Sequence, residues 1–281
     1  MPATHDEATK IARDYYNSTD ADNFYFHIWG GEDIHVGMYR TDDEPIADAS
    51  RRTVEYMADR AGTIDSATRV LDIGAGYGGA ARWLARRFGC HVTALNLSEA
   101  ENERDRAMNE KHGLEEQIDV VDGAFEDLPF GDAMFEVVWS QDAILHSGDR
   151  ARVLDEVDRV LKPSGKFVFT DPMRTDSADV AKLRPILDRI HLPDLGTPGF
   201  YREQAKRRGW RDLGFDEQAN RIPQHYSRVL AELDELEPEL EGLVSGEYIE
   251  RMKSGLRHWI DGGEAGLLTW GVFAFRKPEA R

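Results

Sequence analysis

Two groups of residues in this 281-residue sequence have the types and spacing to do chemistry. The first is the run Val70-Leu71-Asp72-Ile73-Gly74-Ala75-Gly76-Tyr77-Gly78-Gly79, in which apolar residues lead through a carboxylate into closely spaced glycines. Glycines let a backbone approach a ligand closely, and a helix starting just after them offers free N–H groups. Gly74, Gly76 and Gly79 match the spacing that holds a dinucleotide, but that reading also wants an acid at the end of the next strand, where Asn96 stands. The second group is aromatic. Tyr15 and Tyr16 stand together, and the segment Tyr25-Phe26-His27-Ile28-Trp29 continues through Ile34 and His35 to Gly37. An aromatic face holds a cation at about 0.5–2 kcal/mol, which suits a reaction that develops positive charge. These residues are interleaved with Gly, Asp and His rather than spaced as one buried helical face, so Phe24 to Tyr39 is expected to be an aromatic-rich loop. Downstream, His146 follows Asp142 on an apolar segment and is a candidate for orienting a partner or moving a proton. Arg174 and Arg189 are candidates for holding a carboxylate, because a planar guanidinium can bind one bidentately.

The elements that must position these residues can be read from the hydrophobic pattern. A polar helix is expected from about Asp6 to Asn17, and another over Pro45 to Arg60 with its proline in the first turn. From Arg69 onward strands and helices alternate. Strands are expected at Arg69–Ile73, His91–Leu95, Ile118–Asp122, Met134–Ser140 and Lys166–Asp171. Helices are expected at Ala80–Phe88, after an N-cap at Ser98, and at Arg150–Leu161. Short β-branched strands separated by helices specify an α/β, doubly wound, mostly parallel sheet. Beyond Asp171 the pattern gives helices near Ala178–Ile190, Thr197–Arg208, His225–Glu239 and Glu247–Ile260, with strands near Phe215–Ala219 and Leu267–Phe275. The chain is thus expected to be a single domain. Residues 1–60 add an N-terminal helical and aromatic segment, and residues 172–262 form a helical cap with one strand. The cap would lie over the carboxyl edge of the sheet, where open α/β sheets bind ligands.

Composition narrows the partners. Lys and Arg number 35 against 53 Asp and Glu, a net charge of −18, which argues against a nucleic-acid partner. Most of the cations are arginine, and the carboxylate excess fits either an ordinary acidic protein or one adapted to a salty interior. No apolar run is long enough to span a membrane, the N-terminus does not read as a signal peptide, and Cys90 is the only cysteine. A cytoplasmic enzyme is the expectation, without a metal, acting as a monomer or weak dimer.

Asp72 ahead of the glycines resembles the first motif of S-adenosylmethionine-dependent methyltransferases. Gly123-Ala124-Phe125-Glu126-Asp127-Leu128-Pro129-Phe130 and Leu161-Lys162-Pro163-Ser164-Gly165 resemble two further family motifs. Together they imply a seven-stranded Rossmann-like sheet and S-adenosylmethionine as the cofactor. On that resemblance Asp72 would orient the cofactor's ammonium, with Gly74, Ala75 and Gly76 forming the loop beneath it. Asn96 would bond the ribose, Leu97, Ala124 and Phe125 would flank the adenine, and Gln141, Ile34 and His35 would meet the methionine end. The paired tyrosines, the segment Ile28-Trp29-Gly30-Gly31-Glu32-Asp33-Ile34-His35 and Trp139-Ser140-Gln141-Asp142-Ala143-Ile144-Leu145-His146 carry the resemblance further. They look like sarcosine/dimethylglycine N-methyltransferases, which make glycine betaine, with phosphoethanolamine methyltransferases as similar relatives. The resemblance implies Tyr16 and His146 as catalytic residues. It also implies that Tyr15, Tyr25, Trp29, Arg174 and Arg189 bind a small amino-acid substrate. Another small amine such as glycine or phosphoethanolamine, or a non-catalytic module that binds S-adenosylmethionine, are the alternative readings.

Overall fold

The computed structural model describes residues 5–29 and 31–279, so Gly30 of the aromatic segment and the first four residues lie outside the described residues. The chain opens with α1 (His5–Tyr16), α2 (Thr19–Ile28) and α3 (Ile46–Ala61). The alternating region follows as β1 (Arg69–Ile73), α4 (Gly79–Phe88), β2 (His91–Asn96), α5 (Glu99–His112), β3 (Ile118–Asp122), β4 (Phe135–Gln141), α6 (Arg150–Val160) and β5 (Leu161–Thr170). It continues with β6 (Met173–Arg174), α7 (Arg184–Arg189), α8 (Pro198–Arg207), β7 (Arg211–Glu217), α9 (Arg221–Leu236), α10 (Gly246–Glu264), β8 (Leu268–Thr269) and β9 (Gly271–Arg276).

The seven strands of the main sheet run in the order β3-β2-β1-β4-β5-β9-β7. Pairing is parallel from β3 through β5, and β9 runs antiparallel to both its neighbours. This is the doubly wound, mostly parallel sheet expected from the alternating pattern. The chain crosses to the other side of β1 between β3 and β4, so the ends of β1, β2 and β4 open a crevice at that switch point. On one face α3 and α4 cover the sheet through Val54, Met57, Ala81 and Leu84. On the other, α6 and α8 cover it through Val153, Val157, Tyr201 and Ala205. Among the described residues no helix is long and apolar enough to cross a membrane.

Several local expectations change. Phe24–Ile28 is not loop. It belongs to α2, capped by Ser18, whose side chain accepts the Ala21 N–H, and its buried residues Ala21, Phe24, Tyr25 and Ile28 fall on one face at helical spacing. The helix expected over Ala178–Ile190 is a 3₁₀ turn, Val180–Leu183, running into the short α7. The strand expected at Phe215–Ala219 starts earlier, as β7, and joins the main sheet. The last strand divides. β8 pairs with β6 in a separate two-stranded ribbon, while β9 enters the main sheet. The helix α8, expected in the cap, is instead part of the layer beside α6. The cap proper is α9 and α10, with α2 packed against them through Phe24, Ile28, Val229, Leu233 and Met252.

Candidate active site

The crevice at the switch point holds two adjoining cavities. One runs along the ends of β1 and β2, walled by Gly74, Gly76, Asn96, Leu97, Ala124 and Phe125. The other, of about 340 Å³, lies under α2, α9 and α10, and Tyr15, Tyr25, Trp29 and Arg189 face it. Ala12, Tyr16, Ile34, Asp142 and His146 line both, so these residues form the partition between them.

The cavity along β1 and β2 is formed by a tight turn. Gly74 has φ +78, and a side chain there would put its first carbon 2.3 Å from the Cβ of Ala143. Only glycine fits, and the loop backbone stays open to a ligand. The third glycine of the dinucleotide spacing does something else. A Cβ on Gly79 would lie 2.2 Å from Asp33 Oδ1 and 2.4 Å from the Glu32 carbonyl oxygen. The Gly79 N–H donates to that carbonyl, so Gly79 seats the segment before Ile34 and His35 rather than facing a pyrophosphate.

The acid missing from position 96 is supplied from the next helix. Ser98 caps α5 as expected and sets its first turn, which brings Glu101 into the cavity wall. Glu101 Oε2 accepts from Asn96 Nδ2 at 2.7 Å. Burial, with a smaller push from Asp22, raises this carboxyl to about 7 against the pull of the Asn96 amide. Sequence reading missed Glu101, and the cap at Ser98 was the available signal. Gln141 also lines this cavity. Its Oε1 accepts from Trp139 Nε1 at 2.8 Å, which leaves the buried Nε2 with no protein partner. A buried donor of this kind is costly unless a ligand meets it. A carboxylate beside a cleft, an open glycine turn and a free amide donor fit the hydroxyls, adenine and amino-acid end of S-adenosylmethionine.

Asp72 and Ala75 do not wall either cavity. Asp72 lies at the end of β1, paired with Ala94 and Trp139, and is 2% exposed. Burial, then the Asp105 and Asp33 carboxylates, push it up to about 8. His35 faces the larger cavity, with its Nδ1 3.3 Å from the Val36 carbonyl and its buried Nε2 3.6 Å from Asp33 Oδ1.

At the partition Tyr16 Oη and His146 Nε2 are 3.0 Å apart, with their rings edge to face. Burial, reinforced by the charges of Arg150 and Arg189, pushes the His146 imidazole down to about 4, so it is uncharged near neutral pH. Burial likewise raises the Tyr16 phenol well above its ordinary value. The pair is therefore neutral and adds no charge that would repel a cation. Each partner is held by its own element. His146 ends a 3₁₀ turn, Ile144–His146, whose Leu145 N–H donates to Asp171 Oδ1 at 2.8 Å while Arg150 Nη2 donates to the Leu145 carbonyl at 2.8 Å. Tyr16 ends α1, which is tied to the start of α5: Asn17 Nδ2 donates to Glu99 Oε2 at 2.7 Å, and Ser98 Oγ donates to Asn17 Oδ1 at 2.8 Å. Asp142, with φ +51, turns the chain after β4. It accepts the Val36 N–H at 2.6 Å and the Trp270 indole N–H at 2.7 Å.

Beyond the partition the larger cavity is aromatic. Ring centroids are 5.0 Å apart for Tyr15 and Tyr16, 5.7 Å for Tyr16 and Tyr25, and 5.0 Å for Tyr25 and Trp29. The Trp29 indole N–H donates to His225 Nε2 at 3.1 Å, and His225 Nδ1 lies 2.8 Å from the Tyr39 hydroxyl and accepts the Gly37 N–H at 3.3 Å. Sequence reading missed His225, which clamps the aromatic segment to α9. Arg189 lies opposite. Its guanidinium donates to Met252 Sδ at 2.9 Å, and among the described residues no carboxylate pairs with it. A cation facing a cavity without a counter-ion is suited to an incoming carboxylate. Arg174, the other arginine expected here, is not in the site. Its turn of backbone pairs β6 with β8, and its guanidinium is committed bidentately to Asp194 at 2.7 and 3.1 Å.

Comparison with known proteins agrees with this layout. A family model described as a methyltransferase domain matches residues 71–169. The chain is 58% identical over 272 residues to the sarcosine/dimethylglycine N-methyltransferase of Halorhodospira halochloris, covering 97% of this chain and 98% of that one. It is 52% identical to the protein of the same name from Aphanothece halophytica, covering 97% and 99%. Among solved structures, a provisionally named sarcosine dimethylglycine methyltransferase of Galdieria sulphuraria superposes with a TM-score of 0.87 at 45% identity, covering 92% of this chain and 99% of that one.

Proposed function

The chain belongs to the sarcosine/dimethylglycine N-methyltransferase family, and from that premise we propose that it methylates sarcosine to dimethylglycine and dimethylglycine to glycine betaine. The donor is S-adenosylmethionine, which supplies a methyl group carried on a sulfonium. The observation that carries the proposal is the shared partition: Tyr16 and His146 line both a nucleotide-suited cavity and an aromatic cavity faced by Arg189, which no carboxylate pairs among the described residues.

On this reading Glu101 and Asn96 hold the ribose, with Leu97, Ala124 and Phe125 around the adenine. Gln141, Ile34 and the Gly74–Gly76 loop hold the amino-acid end, and His35 meets it from the acceptor side of the partition. Asp72 lies beneath that loop, where the cofactor's ammonium would draw its raised carboxyl into the ionised form. Arg189 holds the acceptor carboxylate, and Tyr15, Tyr16, Tyr25 and Trp29 surround the amine, where their faces favour the growing positive charge. The Tyr16–His146 pair orients the nitrogen at the partition, so catalysis is chiefly positioning. Each acceptor reacts as its neutral amine; when sarcosine is methylated His146 is placed to pass on the proton that the product nitrogen sheds, whereas methylation of dimethylglycine gives a quaternary nitrogen with no proton to shed. The chain works as a single unit, with residues 1–60 completing the acceptor site and residues 172–262 capping it. We take it to act in the cytoplasm as a monomer or weak dimer. A compatible-solute product agrees with a net charge of −18, which keeps a surface hydrated in salt.

Labelled methyl transfer to sarcosine, dimethylglycine, glycine and phosphoethanolamine tests the proposal; absence of turnover on dimethylglycine overturns it. Tyr16→Phe and His146→Ala should each lower kcat by about 10- to 100-fold while leaving cofactor affinity near wild type. Because His146 is held near 4, any inflection near neutral pH in the pH–rate profile should belong to another group and persist in the residual activity of His146→Ala. If both variants keep full activity, the acceptor-site assignment is wrong.

A further inference from the structure

Helix α10 contains a glycine where its own stability would favour alanine. Gly255 lies in the middle of a 19-residue helix and is buried, and its conformation is not one that demands glycine. In such a position glycine weakens a helix relative to alanine. The reason for it is space. A Cβ built on Gly255 would stand 2.5 Å from both Cζ and Nε of Arg189, and 2.7 Å from Nη1. No real Cβ sits that close, so the flat face of the Arg189 guanidinium rests directly on the backbone of α10. One turn earlier on the same helix, Met252 Sδ takes the Arg189 Nη2 donor at 2.9 Å. One turn later, Trp259 shares the wall of the same cavity.

We propose that Gly255 is a positioning residue for the acceptor carboxylate: its missing side chain lets α10 receive the Arg189 guanidinium in the orientation that presents it to the cavity. The arginine arrives from α7, a short helix packed against α10, so its reach is set by what it rests on. This proposal rests on the assignment of Arg189 to the carboxylate. A methyl group at position 255 lifts the guanidinium off α10. It leaves untouched the cofactor cavity, which Gly255 does not line.

The test is a set of variants assayed with dimethylglycine and titrated with S-adenosylhomocysteine. Gly255→Ala should raise KM for dimethylglycine by about tenfold or more, with kcat at saturation and S-adenosylhomocysteine affinity within about twofold of wild type. Its melting temperature should stay level or rise, because alanine is the better helix former, so a collapse of α10 cannot be the cause of the lost affinity. Arg189→Lys supplies the control. A slender ammonium has no flat face to seat, so Gly255→Ala added to Arg189→Lys should change KM no further. If Arg189→Ala leaves KM unchanged, the carboxylate assignment fails and this proposal falls with it. If Arg189→Ala raises KM while Gly255→Ala does not, or if the double variant shows the full additive loss, the carboxylate assignment stands and the role of Gly255 is overturned.

Discussion

Glu101 shows how a residue can be central to a site and yet hard to see in a sequence. It lies five positions past the strand end where an acid is sought, in the very polar run Glu99-Ala100-Glu101-Asn102-Glu103-Arg104. There it reads as one more solvated carboxylate. Only the helical turn after the Ser98 cap folds it back beneath Asn96, where the amide grips it at 2.7 Å. By contrast, the glycines, Asn96, Ala124 and Phe125 were legible because they follow strand ends, and strand ends in this fold meet at one place. Between the two arginines the sequence offered no basis for choice. Asp194, a partner 20 positions away that only folding supplies, engages Arg174, while Arg189 faces the cavity. Glu101 also yields a measurable titration. Its carboxyl sits at about 7 in the free protein, and ribose hydroxyls donating to it would favour the ionised form. Binding of S-adenosylhomocysteine near pH 7 should therefore release protons, detected by calorimetry in buffers of different ionisation heat. Glu101→Gln should reduce the release and weaken binding by about 10- to 100-fold. Unchanged proton release in that variant would remove Glu101 from the ribose.

At the scale of elements, the alternating half of the chain was read to within a residue or so, since buried β-branched strands and capped helices state their own boundaries; the exception is β5, which begins at Leu161, ahead of the expected start at Lys166, because Leu161 already pairs with Phe135. The flanking parts were harder. The apolar face of α2 begins at Ala21 among Asp20, Asp22 and Asn23, so a window opened at Phe24 loses the first turn of the pattern. The final apolar run was read as one strand, but it bends at Trp270, whose indole is drawn to Asp142. The segment between α2 and α3 carries Ile34 and His35 and has little regular structure of its own. It depends on its dock against the start of α4. Gly79→Ala drives a methyl into the Glu32 carbonyl and the Asp33 carboxylate. We expect a loss of about 1–3 kcal/mol, read from denaturant unfolding, and a cofactor dissociation constant raised about tenfold. Wild-type stability in this variant would mean that the segment is held by its other contacts.

For the whole molecule, the sheet order and the location of the crevice follow from the alternating pattern and its connection rules. What no local pattern states is which distant pieces close over the crevice. The site joins Tyr16 to His146 across 130 positions and Trp29 to His225 across 196. Those contacts arise because an amphipathic α2 and the amphipathic cap helices each have an apolar face to bury and find one another.

The partition has a kinetic consequence. Residues Ala12 and Tyr16 of α1 wall both cavities, and the end of α1 is fastened by Asn17 to the helix that carries Glu101. On the proposed reading, the helix that covers the spent nucleotide is the same one that encloses the amino acid. Two successive methylations should then be distributive: the half-finished product escapes between rounds and must compete to return. With sarcosine in excess, free dimethylglycine should accumulate before betaine appears, and labelled dimethylglycine added at the start should mix fully into the betaine formed. Betaine formed without a lag and without dilution of its label would mean that the amino acid stays while the nucleotide is replaced.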